Sequence, residues 1–141
     1  MKPILISFLL LAIAFGQLIY SNPFVFTEKR TLAQIPASSS QKIKVPVHRN
    51  FIINLPAFPK PLLPNAYRWI VKSPNSIPHI DYNGNSPSGS FLFPNFPSFY
   101  QGRQIFNFET ITKGVGTITF WYLKPSQVTP QKRYYVIVKV T

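Results

Sequence analysis

From residue 42 to the C-terminus, apolar and polar side chains alternate with a period of two, in short runs bounded by turn residues. Over 42–48, Ile43, Val45 and Val47 interleave with basic residues. Over 50–55, Phe51, Ile53 and Leu55 share one face. Over 67–72, Tyr67, Trp69 and Val71 lie opposite Arg68 and Lys72. The run 104–112 aims Phe106 and Phe108 inward, with Asn107 and Glu109 outward. The run 116–123 aims Ile118, Phe120 and Tyr122 inward, with Thr117 and Thr119 outward, and 132–140 does the same with Tyr134, Val136, Val138 and Val140. Alternation of this kind is what a half-buried strand requires. Two weaker strands are predicted over 77–82 and 90–93, on either side of a turn at 83–85. No run shows a convincing 3.6-residue period beyond the N-terminal segment, and 15 prolines oppose long helices. The pattern predicts an all-β fold, an immunoglobulin-like β-sandwich of about 7–8 strands.

The N-terminal stretch breaks this pattern. Lys2 precedes an apolar run over 4–15 that only Ser7 interrupts, and Ala14-Phe15-Gly16 places small residues at the −3 and −1 positions of a cleavage site. This is the layout of a secretory signal peptide over residues 1–16, or through residue 21. An uncleaved membrane anchor is the alternative, since 4–20 approaches the ~20 apolar residues of a span. Pro3, Gly16 and Gln17 weigh against it. Pro23, Pro36, Ala37 and Ser38-Ser39-Ser40 mark 17–41 as a linker, leaving 42–141 as the domain. The expected location is exported: secreted, periplasmic or in the lumen of the secretory pathway.

Two connections stand out. The stretch 56–64 carries four prolines and reads as a stiff, extended loop. The stretch 73–102 is long, rich in Pro, Asn and Ser, and holds Phe91, Phe93, Phe96, Phe99 and Tyr100. Loops of that length in a small domain tend to carry function. Between strands, Lys113-Gly114-Val115-Gly116 is a tight connection whose glycines supply positive φ.

Charge narrows the partners. Fifteen Lys and Arg face three acids (Glu28, Asp81 and Glu109), a net charge of +12 in 141 residues. That excess favours anionic partners. The cations are scattered singly, which opposes a nucleic-acid tail, and an exported protein seldom meets nucleic acid. The inventory also opposes catalysis. There is no cysteine, and His48 and His79 have no metal-ligand spacing. Nothing in the sequence places Asp81 beside Glu109, and no nucleophile elbow or phosphate-binding loop occurs. No enzyme, metal or cofactor is expected. A monomer that binds another protein through loops on a rigid scaffold is.

The second half has a further cadence. Gly102-Arg103-Gln104-Ile105-Phe106-Asn107-Phe108 reads G-x-Q-x-F-x-F, then come Tyr122-Leu123-Lys124-Pro125 and a closing Tyr-Val-Ile-Val-Lys-Val strand. Upstream, Ile53-Asn54-Leu55-Pro56 precedes a loop ending in Asn65-Ala66-Tyr67-Arg68-Trp69. Over 42–141 the chain resembles the chagasin family of inhibitors of papain-like cysteine peptidases. That family carries its function on three loop motifs. The first, Asn-Pro-Thr-Thr-Gly with an aromatic and a Trp after it, falls on Leu62, Leu63, Pro64, Asn65, Ala66, Tyr67 and Trp69. The second, a glycine-rich loop, keeps only Gly102, with Tyr100 and Gln101 before it and Arg103 after. The third, Arg-Pro-Trp, reads Lys124-Pro125-Ser126.

The resemblance implies a reversible, non-covalent inhibitor. Its peptidase-binding residues would be Pro64, Asn65, Ala66, Tyr67, Gln101, Gly102, Arg103, Lys124, Pro125 and Ser126. Their loops would lie at one end of the sandwich and occlude the active-site cleft. Phe96, Phe99 and Tyr100 are candidates to compensate as apolar anchors for the aromatic missing at Ser126. The alternative, drawn from the charge, is a cationic exported or surface protein that uses the same fold to bind anionic polymer or membrane without inhibiting a peptidase.

Overall fold

Each of the six alternating runs forms a strand, and the inward parity read from the sequence is the parity of the core. A computed structural model describes residues 24–57, 66–83, 90–92 and 102–141. Among these residues the strands are β1 (Phe24–Thr27), β2 (Ser38–Val45), β3 (Asn50–Ala57), β4 (Arg68–Lys72), β5 (Ile80–Tyr82), β6 (Ser90–Leu92), β7 (Gly102–Thr110), β8 (Gly114–Leu123) and β9 (Lys132–Val140). They make two sheets. One has the order β1-β3-β7-β5, with β6 also paired to β7, and the other has the order β2-β9-β8-β4. The fold is an immunoglobulin-like sandwich, as expected.

The core lies between the sheets. Phe51, Ile53 and Leu55 of β3 and Phe106 and Phe108 of β7 face Trp69, Ile118, Phe120, Tyr122, Tyr134, Val136 and Val138 of the second sheet, all essentially sealed from water. Phe106 meets Phe120 edge-on at 4.9 Å, and Trp69 packs at 4.9 Å from Tyr122 and 5.9 Å from Tyr134. Edge and tilted ring contacts of this kind add to the area buried.

The linker expected over 17–41 is corrected where the structure describes it, from residue 24 on. Its Ser and Pro content hides two strands. β1 pairs in parallel with β3, Phe24 opposite Phe51. β2 begins at Ser38 and pairs in parallel with β9 through Val45 opposite Val140. Between them a strap crosses from one sheet to the other, sealing Leu32 and Ile35 into the core. Lys132 Nζ donates to the Ile35 carbonyl, and Arg133 N to that of Ala37. Strands that supply mainly an edge carry little apolar periodicity, so this segment has no signature in the pattern. Residues 1–23, which include the expected signal peptide, lie outside the described residues.

The connection between β7 and β8 shows two different uses of glycine. Gly114 has φ of +147°, a region that favours glycine. Gly116 is needed for space: a Cβ there would lie 2.3 Å from the Pro78 carbonyl oxygen. Backbone cannot yield as a flexible side chain can. Gly116→Ala is therefore expected to destabilise the domain by about 2 kcal/mol, as overpacking does. Urea unfolding with an unchanged midpoint would show that the close approach relaxes freely.

Candidate functional site

Strand register defines one end of the sandwich. Ala57 at the end of β3 pairs with Gly102 at the start of β7. Arg68 at the start of β4 pairs with Leu123 at the end of β8. The connections β3–β4, β6–β7 and β8–β9 all leave the sheets here. The described residues that border the three segments, Ala57 and Arg68, Leu92 and Gly102, and Leu123, therefore lie at one end. Of their residues, Pro64, Asn65 and Gln101 lie outside the described residues, as do Phe96, Phe99 and Tyr100. Ala66, Tyr67, Gly102, Arg103, Lys124, Pro125 and Ser126 are described.

Two contact sets join these segments. In the first, Tyr67 stacks on Tyr122 with centroids 5.3 Å apart. Lys124 Nζ sits 5.1 Å over the Tyr67 ring, and Gln127 Nε2 donates to the Tyr67 hydroxyl at 3.2 Å. The turn that carries Lys124 closes on itself: Gln127 N donates to the Lys124 carbonyl, and Lys124 N to Gln127 Oε1. The β3–β4 and β8–β9 connections are thus tied by a cation over an aromatic face, a contact worth on the order of 1 kcal/mol. Pro125 and Ser126 stay exposed at the tip of that turn.

The second set ties β7 to β4 at the roots of the loops. Gln104 is sealed from water on the inward face of β7. Its side chain accepts from Trp69 N at 3.0 Å and donates to the Trp69 carbonyl at 2.7 Å. β4 is an edge strand, and an edge strand offers unpaired backbone groups. The carboxamide carries one donor group and one acceptor, so it matches a strand edge as another backbone would. Trp69 Nε1 in turn donates to the Pro56 carbonyl at 2.8 Å, holding the end of β3. Trp69 is core, and it ties β4 to the end of β3 and the start of β7.

Arg103 is drawn away from the loop end. It points to the outer side of the first sheet, where Nε donates to Asn54 Oδ1 at 2.8 Å. Its Nη2 donates to the carbonyls of Glu28 at 2.7 Å and Asn54 at 3.2 Å. Desolvation lowers its pKa, against the raising influence of Glu28 and Tyr134. It serves the strap, a role its neighbourhood in sequence does not reveal.

The groups that could do chemistry sit elsewhere. His48 N bonds to the Thr110 carbonyl, and His79 Nδ1 lies 2.7 Å from Thr112 Oγ1, both at the opposite end of the sandwich. Asp81 pairs across strands with Glu109, also near that end and exposed. Among the described residues no group of three or more His, Cys, Asp or Glu could hold a metal ion. What the loop end can offer is shape, aromatic surface and positive charge. Reading by sequence missed Gln127, which has no signal there. It also left Gln104 without a role, although a polar residue at an inward position beside two phenylalanines is itself a signal for one.

No protein-family model matches the chain, and no curated protein sequence matches it. Solved structures do resemble it. The solution structure of amebosin has 17% identity and a TM-score of 0.53, covering 84% of this chain and 98% of amebosin. The crystal structure of EhICP2, a cysteine protease inhibitor from Entamoeba histolytica, has 15% identity and a TM-score of 0.55, covering 84% and 95%. PbICP-C, solved in complex with falcipain-2, has 13% identity and a TM-score of 0.52, covering 84% and 99%. Likeness at this level of identity establishes a shared fold, the one implied by the motif resemblance.

Proposed function

We propose that this protein is a reversible, non-covalent inhibitor of papain-like cysteine peptidases, exported from the cell that makes it. The observation that carries the reading is that the strand ends bordering the β3–β4, β6–β7 and β8–β9 connections lie together at one end of the sandwich, tied there by Gln104–Trp69 and Tyr67–Lys124. A loop held at its roots loses less entropy on binding, so more of its contact energy appears as affinity. The fold shared with EhICP2 supports the same reading.

In this reading Pro64, Asn65, Ala66 and Tyr67 cover the catalytic cysteine. Gln101 and Gly102 grip one wall of the cleft, and Lys124, Pro125 and Ser126 the other. The loops present no scissile bond in a productive pose, so the inhibitor is not consumed. An interface of this kind buries roughly 1,600 Å². Ser126 stands where the family has an aromatic residue, a type that recurs at binding hot spots worth on the order of 2 kcal/mol or more. Arg103, occupied with the strap, contributes through the scaffold.

Titration against a panel of papain-like peptidases is expected to give inhibition of at least one of them at roughly nanomolar concentration. The inhibitor should be recovered intact on a denaturing gel. Absence of inhibition across the panel at micromolar concentration, or progressive cleavage of the chain, would end this reading.

A further inference from the structure

Part of the positive charge that the sequence scatters is collected on one face by the fold. The outward positions of β2, β9, β8 and β4 form one continuous sheet face. Lys42 and Lys44 project from β2, Arg133 and Lys139 from β9, and Lys72 from β4. Their inward neighbours Val45, Tyr134, Val138 and Val71 are in the core, which sets this parity. Lys44 is directly opposite Lys139, and Lys42 is opposite Ile137. At the other end of the face Arg133 is opposite Trp121, and Trp121 is opposite Ile70. Lys72 Nζ stands 4.4 Å over the Trp121 ring and Arg133 Cζ 5.9 Å from it. Tyr135, Thr119 and Thr117 fill the centre.

No acid shares this face. The chain has three. Glu28 is buried in the strap, and Asp81 and Glu109 are paired on the first sheet. The two exposed carboxylates thus lie on one sheet and this cationic face on the other. Like charges directly opposite on neighbouring strands repel. Lys44 against Lys139 is thus a cost to the free protein that an anionic partner would relieve.

We propose that this face docks on an anionic lipid surface. The cations are spread across the sheet and sit at both of its ends, so they match charge distributed in two dimensions; a linear polyanion would be met better by a single row or groove. The face is that of a sheet, and it holds Trp121 and Tyr135. Both ring types favour the headgroup level, where an apolar body and a polar edge are satisfied together. Each Lys or Arg near an anionic bilayer attracts it independently of sequence, and several acting together give measurable adsorption. Docking by this face leaves the loop end at the side of the molecule, free to meet a partner. The inference does not rest on the peptidase reading.

The test uses the full chain with vesicles of phosphatidylcholine alone, or with about 30% phosphatidylserine, at low and near-physiological salt. Sedimentation reads binding. A second readout is intrinsic: of the two tryptophans, Trp69 is fully buried while Trp121 lies on the face. The expected result is binding to the anionic vesicles that weakens with salt, accompanied by a blue shift of Trp121 emission. The double reversal K44E/K139E should weaken partition by at least ~20-fold, the effect of losing several basic contacts. The charge-matched reversal K29E/R49E, off the face, should weaken it by only ~3-fold, from the long-range field. Inhibition of a peptidase, where found, should be unchanged in K44E/K139E, which separates this inference from the function proposed above.

Several results would overturn the proposal. One is equal binding to neutral and anionic vesicles. Another is indifference to K44E/K139E, as insertion through the apolar run 4–15 would give. A third is retention by a sulfated polysaccharide without any vesicle binding, which would assign the face to a linear polyanion.

Discussion

Gln104→Leu is expected to destabilise the domain by about 3 kcal/mol and to loosen the loop end. Leucine is of similar size and cannot hydrogen-bond, so the loss reads chiefly the polar contacts of the carboxamide, the two bonds to Trp69 among them. Trp69 N and O lie at the free edge of β4, bonded to the carboxamide at 3.0 and 2.7 Å in a site sealed from water. Leaving a buried donor or acceptor unmade costs roughly 1–3 kcal/mol each. In a domain of this size that lowers the melting temperature by on the order of 10 °C. The loops should feel it more than the core does, because Trp69 also holds Pro56 at the end of β3. In the proposed function, inhibition should therefore weaken at temperatures where circular dichroism still shows a folded protein. A variant with unchanged stability and unchanged inhibition would remove Gln104 from the account. Gln104→Glu gives a second check, since its carboxylate can accept from Trp69 N but has no donor for the Trp69 carbonyl, and it would be charged where it is sealed.

Glu28→Gln should cost about 2–3 kcal/mol at neutral pH and flatten the acid limb of stability. Glu28 is 5% exposed. Its Oε1 accepts from Arg30 N at 2.9 Å and Arg30 Nε at 2.8 Å, and its Oε2 from Arg30 Nη2 at 3.0 Å and from the Tyr134 hydroxyl. Removing one partner of a fully buried ion pair costs ~3–5 kcal/mol, but Arg30 keeps 35% of its side chain in water, which places this pair at the lower end. Desolvation pushes the Glu28 carboxyl up. The hydrogen bonds from Arg30 and Tyr134, with the Arg30 charge, together outweigh it and bring the group down to about 2. Burial and the bond to Glu28 hold the Tyr134 hydroxyl well above its ordinary range, so it remains a donor.

The sign of the pH dependence follows. A carboxylate whose pKa is lower in the folded state stabilises the fold fully above its unfolded value of 4.5, and that contribution fades as pH falls toward about 2. The chain has only three acids, and the other two, Asp81 and Glu109, are exposed. Wild-type denaturation midpoints should therefore fall between pH 5 and 2, and those of Glu28→Gln should be lower at pH 7 and nearly level over the same interval. Parallel curves for the two proteins would show that the strap is not held by this charge. Because Glu28 also ties β1 to Tyr134 of β9, its loss should free the segment 24–37 before the rest, as hydrogen exchange resolved by residue would detect.

These two residues mark the boundary of what the sequence shows. Phe51, Phe106, Phe120 and Val136 could be assigned inward from the chain alone. A strand turns alternate side chains to opposite faces whatever its neighbours are, so period-two alternation carries both the element and its buried side. Proline content and the absence of cysteine bounded the fold and the chemistry in the same local way. The placement of the 62–67, 100–103 and 124–126 motifs before or after particular strands gave the candidate site its residues, since the order of motif and strand is itself linear information. The strap was hidden for the same reason: Ser38 to Gln41 have no apolar alternation, and they are a strand only because β9 offers them an edge.

What the tertiary structure decided is everything that depends on which strands become neighbours. Glu28 reaches Tyr134 across 106 positions, and Gln104 reaches Trp69 across 35. Arg103, counted among the loop residues by sequence, is turned to the strap by the parity of β7. Lys42, Lys44, Lys72, Arg133 and Lys139 share a single face because β2, β9, β8 and β4 lie side by side in that order. Alternation fixes the side of a strand but carries no information about its partner. Strand order comes from the packing of the whole core, and the clamp, the strap and the cationic face exist only once that packing is made.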